Sequence, residues 1–517
     1  MKTKHAISQV FAVVGILLLS LVVLWPLLKP GFFISDDAEW MVIRLSAFFQ
    51  SLREGQFPVR FLGRLNQSYG YPVANFLYPG FFYIGSLIHG LGFSFPDTVK
   101  IIIGGSVVTG TVFSFLWLRT FYGLLPSFLG ALGYLFAPYL VFDIYTRGSV
   151  GEVLAMSLVP VILYGIDREK QWFVPPAVGL LILAHNSLAL LGMVFLTFYL
   201  AVRRMRVMIV PMLLGIGLAA FFWIPAIVER QFVVFSSVIV SNPSDYFLKN
   251  QQLYLVGIVS FVSFLALVFR KKTSAGLPFF LVIFAISVFL ASTYSRIIWQ
   301  IPIMGQLFQF PYRFLSLAVF SGAFLTATVV AYAKKYQYLS VMLFIMLLLV
   351  PVVHMVSRVD VIQRPLGYYT TNEATTTVAD EYMPTWVKDI PEKRVSERLQ
   401  FFLGNGSIDP IETTTQQIRA AVYASEESIL QINTIYYPGW LVAIDAAAVP
   451  IDYDNPQGVM RVAVPSGNHT LVAQFRETPS RLAADSVSGI SILLYGAYLI
   501  WMARTKCGTR RLHKRKR

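Results

Sequence analysis

The stretch ISQVFAVVGILLLSLVVLWPLL (Ile7–Leu28) runs 22 residues without a charged side chain. Coiled as α-helix at about 1.5 Å per residue, it is long enough to cross a hydrocarbon layer of about 30 Å. Lys2 and Lys4 precede it as basic residues precede a secretion signal. The run is too long for a cleaved signal core and has no small-x-small cleavage site, so it reads as a retained first membrane helix.

The rest of the chain repeats the pattern. Of 517 residues, 56% are hydrophobic and 13% charged, and mean hydropathy is +0.63; soluble domains carry about 25% charged residues. Further spans are expected near 97–118, 124–141, 150–166, as two short helices within 172–202, then near 207–227, 252–269, 275–293, 313–333, 338–357 and 486–502. The total is about twelve. Phe76–Phe95 is apolar but interrupted by Pro79 and several glycines, and is expected to be re-entrant or interfacial on the outer side.

The net charge of +15 is not spread over one face. Basic residues cluster at the ends of apolar runs, which excludes a nucleic-acid partner and sets orientation in the bilayer. With the N-terminus inside the cell, Arg119, Arg168 with Lys170, Arg203-Arg204-Arg206, Arg270-Lys271-Lys272, Lys334-Lys335 and the tail Arg510 to Arg517 all fall in the cytoplasm. The expected location is the plasma membrane, with both termini inside and the tail on the anionic inner leaflet. A single cysteine, Cys507, excludes a disulfide framework, and the six histidines are too scattered for a zinc set. No internal repeat is evident, and nothing is drawn from the sequons at Asn66, Asn405 and Asn468.

Between about Arg358 and Ala484 the chain turns polar and its apolar residues alternate, as in Ile429-Leu430-Gln431-Ile432-Asn433 and Gly458 to Val464. Period two means strands. Turn residues at Asp454 to Gly458 and Pro465 to Asn468 separate them, so an antiparallel β-sandwich outside the membrane is expected, with Tyr436, Tyr437 and Trp440 in its core. The domain organisation is then a mainly α, polytopic membrane domain over 1–357, with a first outer loop at about 29–96. It continues with an extracytoplasmic β-domain over 358–484, a last spanning helix over 485–503 and a basic tail over 504–517.

The same orientation gathers the chemically interesting residues on the outer face. Ser35-Asp36-Asp37-Ala38-Glu39-Trp40 follows the first helix and leads into a stretch with Arg44, Arg53, Arg60 and Arg64. Adjacent carboxylates at a membrane boundary are costly to desolvate, and one can tune its neighbour as base or metal ligand; the alternative is a solvated helix N-terminus that favours negative charge. Asp143, Arg147 and Glu152 sit beside two helix ends. A guanidinium there suits a phosphate bidentately, or pairs internally with Asp143 or Glu152; both can hold at once. His185-Asn186-Ser187 and Gln309-Phe310-Pro311-Tyr312-Arg313-Phe314 reach the same face.

These residues, with Gln56-Phe57-Pro58-Val59-Arg60, Gly70-Tyr71-Pro72, Pro138-Tyr139 and Glu381-Tyr382-Met383-Pro384, resemble a bacterial and archaeal membrane family labelled "6-pyruvoyl-tetrahydropterin synthase-related". The resemblance covers nearly the whole chain. Tyr436-Tyr437-Pro438-Gly439-Trp440 and Pro465 to Thr470 look like the C-terminal β-domain of large multispanning proteins of cell-wall glycosylation. That family looks like a branch of the GT-C glycosyltransferases, and it is the resemblance that implies a polyprenyl-phosphate sugar donor and an acidic catalytic motif in the first outer loop. Carried over, it makes Asp36 or Asp37 the catalytic base or metal ligand. Arg147, Arg313 and Arg44 would bind the donor phosphate, and Asp143, Glu152, His185 and Asn186 would support them. Where many relatives place a histidine after the acidic motif, this chain has Glu39, Met41 and Arg44.

The expected reaction therefore moves a sugar from a lipid-linked donor to an extracytoplasmic glycan, lipid or protein. A divalent cation (Mg, Mn or Ca) on Asp36 and Asp37 would help hold the phosphate, although two carboxylates alone are a weak metal signal. A flippase of lipid-linked saccharides and a catalytically silent, glycan-binding scaffold are the competing readings.

Overall fold

The computed structural model describes residues 2–236, 243–270, 276–333, 337–394 and 396–515. Lys271, Lys272, Lys334, Lys335 and the last two arginine-tail positions, on which the charge reading partly rests, lie outside the described residues.

Helix forms wherever an apolar run was long. Among the described residues seven helices are individually long and apolar enough to cross a membrane: Ile7–Leu28, Phe95–Leu118, Leu124–Arg147, Val150–Asp167, Asn186–Arg203, Pro311–Tyr332 and Pro479–Thr505. Their outward faces are apolar: Phe11, Trp25, Leu28, Leu213 and Ile227 are all more than half exposed, which in water would be an aggregating surface. The expected count of twelve is not reached by length among the described residues. Two expected spans, 207–227 and 252–269, are helix pairs bent by 63° and 72°, which brings the number to nine. Val174–Ala184, Leu277–Ala291 and Ile345–Ser357 are shorter apolar helices at the remaining expected positions. Within 76–95 the helix is Gly80–Gly90, 11 residues and about 16 Å, too short to cross.

The bends have identifiable partners. At the 63° break the hydroxyl of Ser488, on the final helix, accepts from Phe221 N–H at 2.8 Å and lies 3.1 and 3.2 Å from the carbonyls of Gly217 and Leu218. Backbone groups freed inside hydrocarbon need such substitutes. At the 72° break Gly257 has φ +81°, which only glycine adopts freely.

The β-domain strands are β3 (Leu399–Leu403), β4 (Gly406–Thr413), β5 (Gln417–Ala424), β6 (Ser428–Ile435), β7 (Trp440–Ile444), β8 (Ala447–Val449), β9 (Val459–Val464) and β10 (Gly467–Phe475). Ahead of them β1 (Phe32–Phe33) pairs with β2 (Val361–Ile362). A five-stranded sheet of order β4-β5-β10-β7-β8 and a three-stranded sheet of order β3-β6-β9 are antiparallel throughout. Alternation decides which residues face inward: in β5, Ile418, Ala420, Val422 and Ala424 are buried while Arg419, Ala421 and Tyr423 are exposed. Tyr437 and Trp440 enter the core as expected. Tyr436 instead stacks on Tyr453 at 4.1 Å, beside Trp386.

The two parts are interlocked. Phe61, from the loop after the first helix, packs in the β-domain core against Trp440 (5.7 Å) and Phe475 (5.3 Å). Arg60, 2% exposed, bonds Glu477, Asp485 and the carbonyl of Phe221. Arg481 is fully buried and grips Glu229 through two 2.8 Å bonds, while Asn75 and Tyr437 donate to the same carboxylate at 2.8 Å each. Loop, bent helix, β-domain and final helix therefore meet at one buried carboxylate.

Candidate functional site

The aspartate pair is held by main chain. After β1, the N–H groups of Asp36 and Asp37 donate to the carbonyls of Thr146 and Arg147, both at 2.9 Å. The approach is possible because residue 148 is glycine, at φ +67°; a Cβ there would lie 2.4 Å from Ser35 Oγ and 2.6 Å from Ala38 N. Asp37 precedes the helix Ala38–Arg53 yet makes no capping bond with its side chain. Neither carboxylate has a hydrogen-bond or ion-pair partner among the described residues, whereas Glu39 is taken by Arg364 and Tyr369. Burial, reinforced by Asp37 and opposed by Arg147, raises the Asp36 carboxyl above its ordinary range.

Beneath the pair lies a buried cluster. Asp143–Arg147 forms a π-helical turn, a wide turn common at functional sites. It points Arg147 Nη1 at Asp143 (2.7 Å) and at Glu152 Oε1 (2.6 Å). Glu152 Oε1 also accepts from Arg313 Nε at 2.7 Å and lies 3.6 Å from His185 Nε2, while Tyr139 approaches its other oxygen at 3.5 Å. The expected convergence of Asp143, Arg147, Glu152, His185 and Arg313 is therefore observed, and the internal ion pairing is too. Two acids balance two guanidiniums, as burial requires. Each guanidinium keeps one edge in hand: Arg147 uses only Nη1 and Arg313 only Nε and Nη1 among the described residues. Both lie over the Phe310 ring, at 5.5 and 4.8 Å.

Local backbone sets the remaining members. His185 is extended (φ −167°, ψ 128°), which splits Val174–Ala184 from Asn186–Arg203, and its Nδ1 caps the second helix by accepting from Leu188 N–H at 3.3 Å. That bond fixes the proton on Nε2, facing Glu152. Asn186 donates to the carbonyl of Phe76 at 2.9 Å. Gln309 occupies φ +58°, ψ −57°, a strained turn closed by a 2.7 Å bond from Phe310 N–H to the Phe308 carbonyl, and its Oε1 accepts from Arg313 at 2.7 Å. Arg44 is differently engaged: it is buried against Thr376, bonding both the hydroxyl and the carbonyl, and Met41. It anchors the chain that leads to the β-domain.

A cavity of about 560 Å³ opens next to the cluster. Its lining combines polar His185, Asn186, Ser187 and Gln309 with apolar Met193, Ile216, Trp223 and Ile227. Asp36, Asp37 and Arg147 do not line it; the link is Tyr78, which does, packs on His185 at 4.8 Å and lies within electrostatic reach of Asp37, Arg44, Glu152 and Arg313. Arg230 also lines the cavity, with a cation–π contact to Phe235 (5.2 Å) and no ion-pair partner among the described residues. Sequence reading missed it. Its signal was an arginine at the outer end of the expected 207–227 span, against the trend of the other basic clusters.

As to a cation, no group of three or more His, Cys, Asp or Glu side chains gathers among the described residues. With Glu39 engaged elsewhere, Asp36 and Asp37 do not make up a donor set for Mg, Mn or Ca.

No protein-family model and no curated protein matches the chain. Among solved structures it is similar to two of the Archaeoglobus fulgidus oligosaccharyltransferase. The one in complex with Zn and sulfate is 15% identical with a TM-score of 0.38, over 68% of this chain and 54% of that chain. The apo form is 13% identical with a TM-score of 0.39, over 67% and 55%. The chain spans about half the length of these structures.

Proposed function

We propose that this chain is a membrane glycosyltransferase that passes a sugar from a polyprenyl-phosphate donor to a hydroxyl acceptor on an envelope glycan, lipid or protein outside the cell. One observation carries the reading: two carboxylates without partners among the described residues hang by their N–H groups from the carbonyls of Thr146 and Arg147, and the Arg147 guanidinium belongs to a buried, charge-balanced cluster beside a half-apolar cavity.

In this reading the lipid tail lies along Met193, Ile216, Trp223 and Ile227 and the phosphate meets Arg230, all of which line the cavity, while Arg313 and Arg147, which do not line it, add their charge from the Glu152 cluster that His185 joins to it. A planar guanidinium that stays charged matches a phosphate well. Asp36 or Asp37 takes the proton of the acceptor hydroxyl as its oxygen bonds to the anomeric carbon. The bond from that carbon to the phosphate oxygen breaks, and the electron pair leaves with polyprenyl phosphate. Phosphate is a good leaving group, so the carboxylate's task is to activate the acceptor hydroxyl, which general base action does by about 10²- to 10⁴-fold. No step is routed through a cation.

The flippase reading draws support from the buried ionisable cluster at a helix break. One experiment separates the two. Vesicles holding the chain receive a radiolabelled polyprenyl-phosphate sugar, and label is followed both into acceptor and across the bilayer. A D36N/D37N double variant should keep abundance and donor binding while transfer falls by about 10²-fold or more. Unchanged transfer in that variant refutes the proposal; loss of label movement alone favours the flippase.

A further inference from the structure

At the C-terminal end of the helix Ala38–Arg53 lies a polar cleft of about 710 Å³, where that helix end, the 63–68 loop, the 370–373 and 394–398 segments and the β4–β5 turn meet. It is not continuous with the residues of the cavity described above. Hydroxyls of serine and threonine line it, together with Arg64, Arg394, Arg398, Glu54 and Glu373. The two acids are already engaged: Glu54 accepts from Gln50 and from Thr415 N–H, and Glu373 pairs with Arg394 at 3.3 Å.

Neither Arg64 nor Arg398 has a carboxylate within ion-pair distance among the described residues, although Glu373 lies within electrostatic reach of both and Glu54 of Arg398. Arg64 reaches only carbonyls and the Ser46 hydroxyl, and its Nε is buried without a partner. Arg398 directs Nη1 alone at Ser68, Asn433 and Thr434, leaving Nε and Nη2 unbonded among the described residues. Burial pulls both guanidiniums below the usual arginine range, Arg64 to about 10, and the nearby acids offset only part of that effect. The loop between them holds Asn66, Gln67 and Ser68 at φ +56°, +56° and +67°, a run of left-handed residues that persists only where surroundings enforce it.

We infer that this cleft binds an acidic saccharide, a carboxylate-bearing sugar seated on Arg398 with its hydroxyls on the threonine-rich wall. A hydroxyl-rich surface with one partly compensated planar cation matches such a ligand better than a neutral sugar or a bare anion. The inference does not rest on the transfer reaction: binding here is independent of Asp36 and Asp37.

The test is titration calorimetry on the full chain in nanodiscs, with trigalacturonate, maltotriose and inorganic phosphate as parallel probes. Trigalacturonate should bind about tenfold or more tightly than either of the others, and should weaken as salt rises. R398Q should weaken it about tenfold. Because Arg398 also anchors Ser68, two milder variants accompany it: R394A, at a side chain 73% exposed, should weaken binding, and E373Q, which frees Arg394, should tighten it. D36N/D37N should bind as the unaltered chain does. Equal affinity for maltotriose, phosphate binding as tight as trigalacturonate, no binding at all, or indifference to both R394A and E373Q would overturn the inference.

Discussion

Replacing Arg481 by methionine tests how the β-domain, the final helix and the membrane domain are joined. Arg481 is fully buried, gives Glu229 two 2.8 Å bonds, gives the Pro438 carbonyl one at 2.9 Å, and lies over the rings of Tyr437 and Phe475. Methionine keeps the packing volume but leaves Glu229, 1% exposed, with only the neutral donors Asn75 and Tyr437. Removing one partner of a buried pair costs about 3–5 kcal/mol, mostly for the stranded charge. At about 2–4 °C per kcal/mol this corresponds to a fall in Tm on the order of 10 °C. The double variant R481M/E229Q removes the stranded charge and keeps an oxygen for Asn75 and Tyr437, so it should recover about 2 kcal/mol of that loss. Tryptophan fluorescence during heating reports the transition, because Trp440 packs against Phe61 across the same junction. An R481M protein as stable as the unaltered chain, or a double variant less stable than the single one, would refute the assignment of energy to this pair.

Three further outcomes follow from the same geometry. G148A places a Cβ 2.4 Å from Ser35 Oγ at a positive φ, so it should displace the aspartate loop and lower transfer about tenfold or more, with a stability loss of about 1–3 kcal/mol on melting. The raised carboxyl of Asp36 is more readily protonated folded than unfolded. Its stabilising contribution is therefore full below the ordinary aspartate value of 3.8 and lost as pH rises through the raised value, and D36N should flatten that part of a Tm-against-pH curve. R230Q should weaken retention of a polyprenyl phosphate about tenfold in native mass spectrometry without lowering Tm, since Arg230 has no ion pair among the described residues to lose.

What the sequence disclosed was whatever depends on near neighbours. Apolar runs predicted helices near 97–118 and 150–166, alternation around Ile429–Asn433 predicted strands, and the polar pair His185-Asn186 marked the break between two helices. The convergence of Asp143, Arg147, Glu152 and Arg313 followed from orientation alone, without any view of their bonds. Long-range pairing was not legible. Arg481 meets a glutamate 252 positions away and Arg60 one 417 positions away, and no local pattern announces either. The 63° bend was equally hidden, because Leu218-Ala219-Ala220 carries no breaker at the break itself and the substitute hydroxyl comes from another helix.

That hydroxyl has a consequence for how the chain is made. Phe221 is synthesised some 267 residues before Ser488, so the break near Leu218 must wait, half satisfied, until the final helix has left the ribosome and entered the bilayer. A ribosome stalled before Pro479 would leave an insertion intermediate with an unfinished hinge. The hinge near Leu218 and the helix that carries Ser488 therefore reach their final form together, and a segment inserted early takes its shape from one made some 267 residues later.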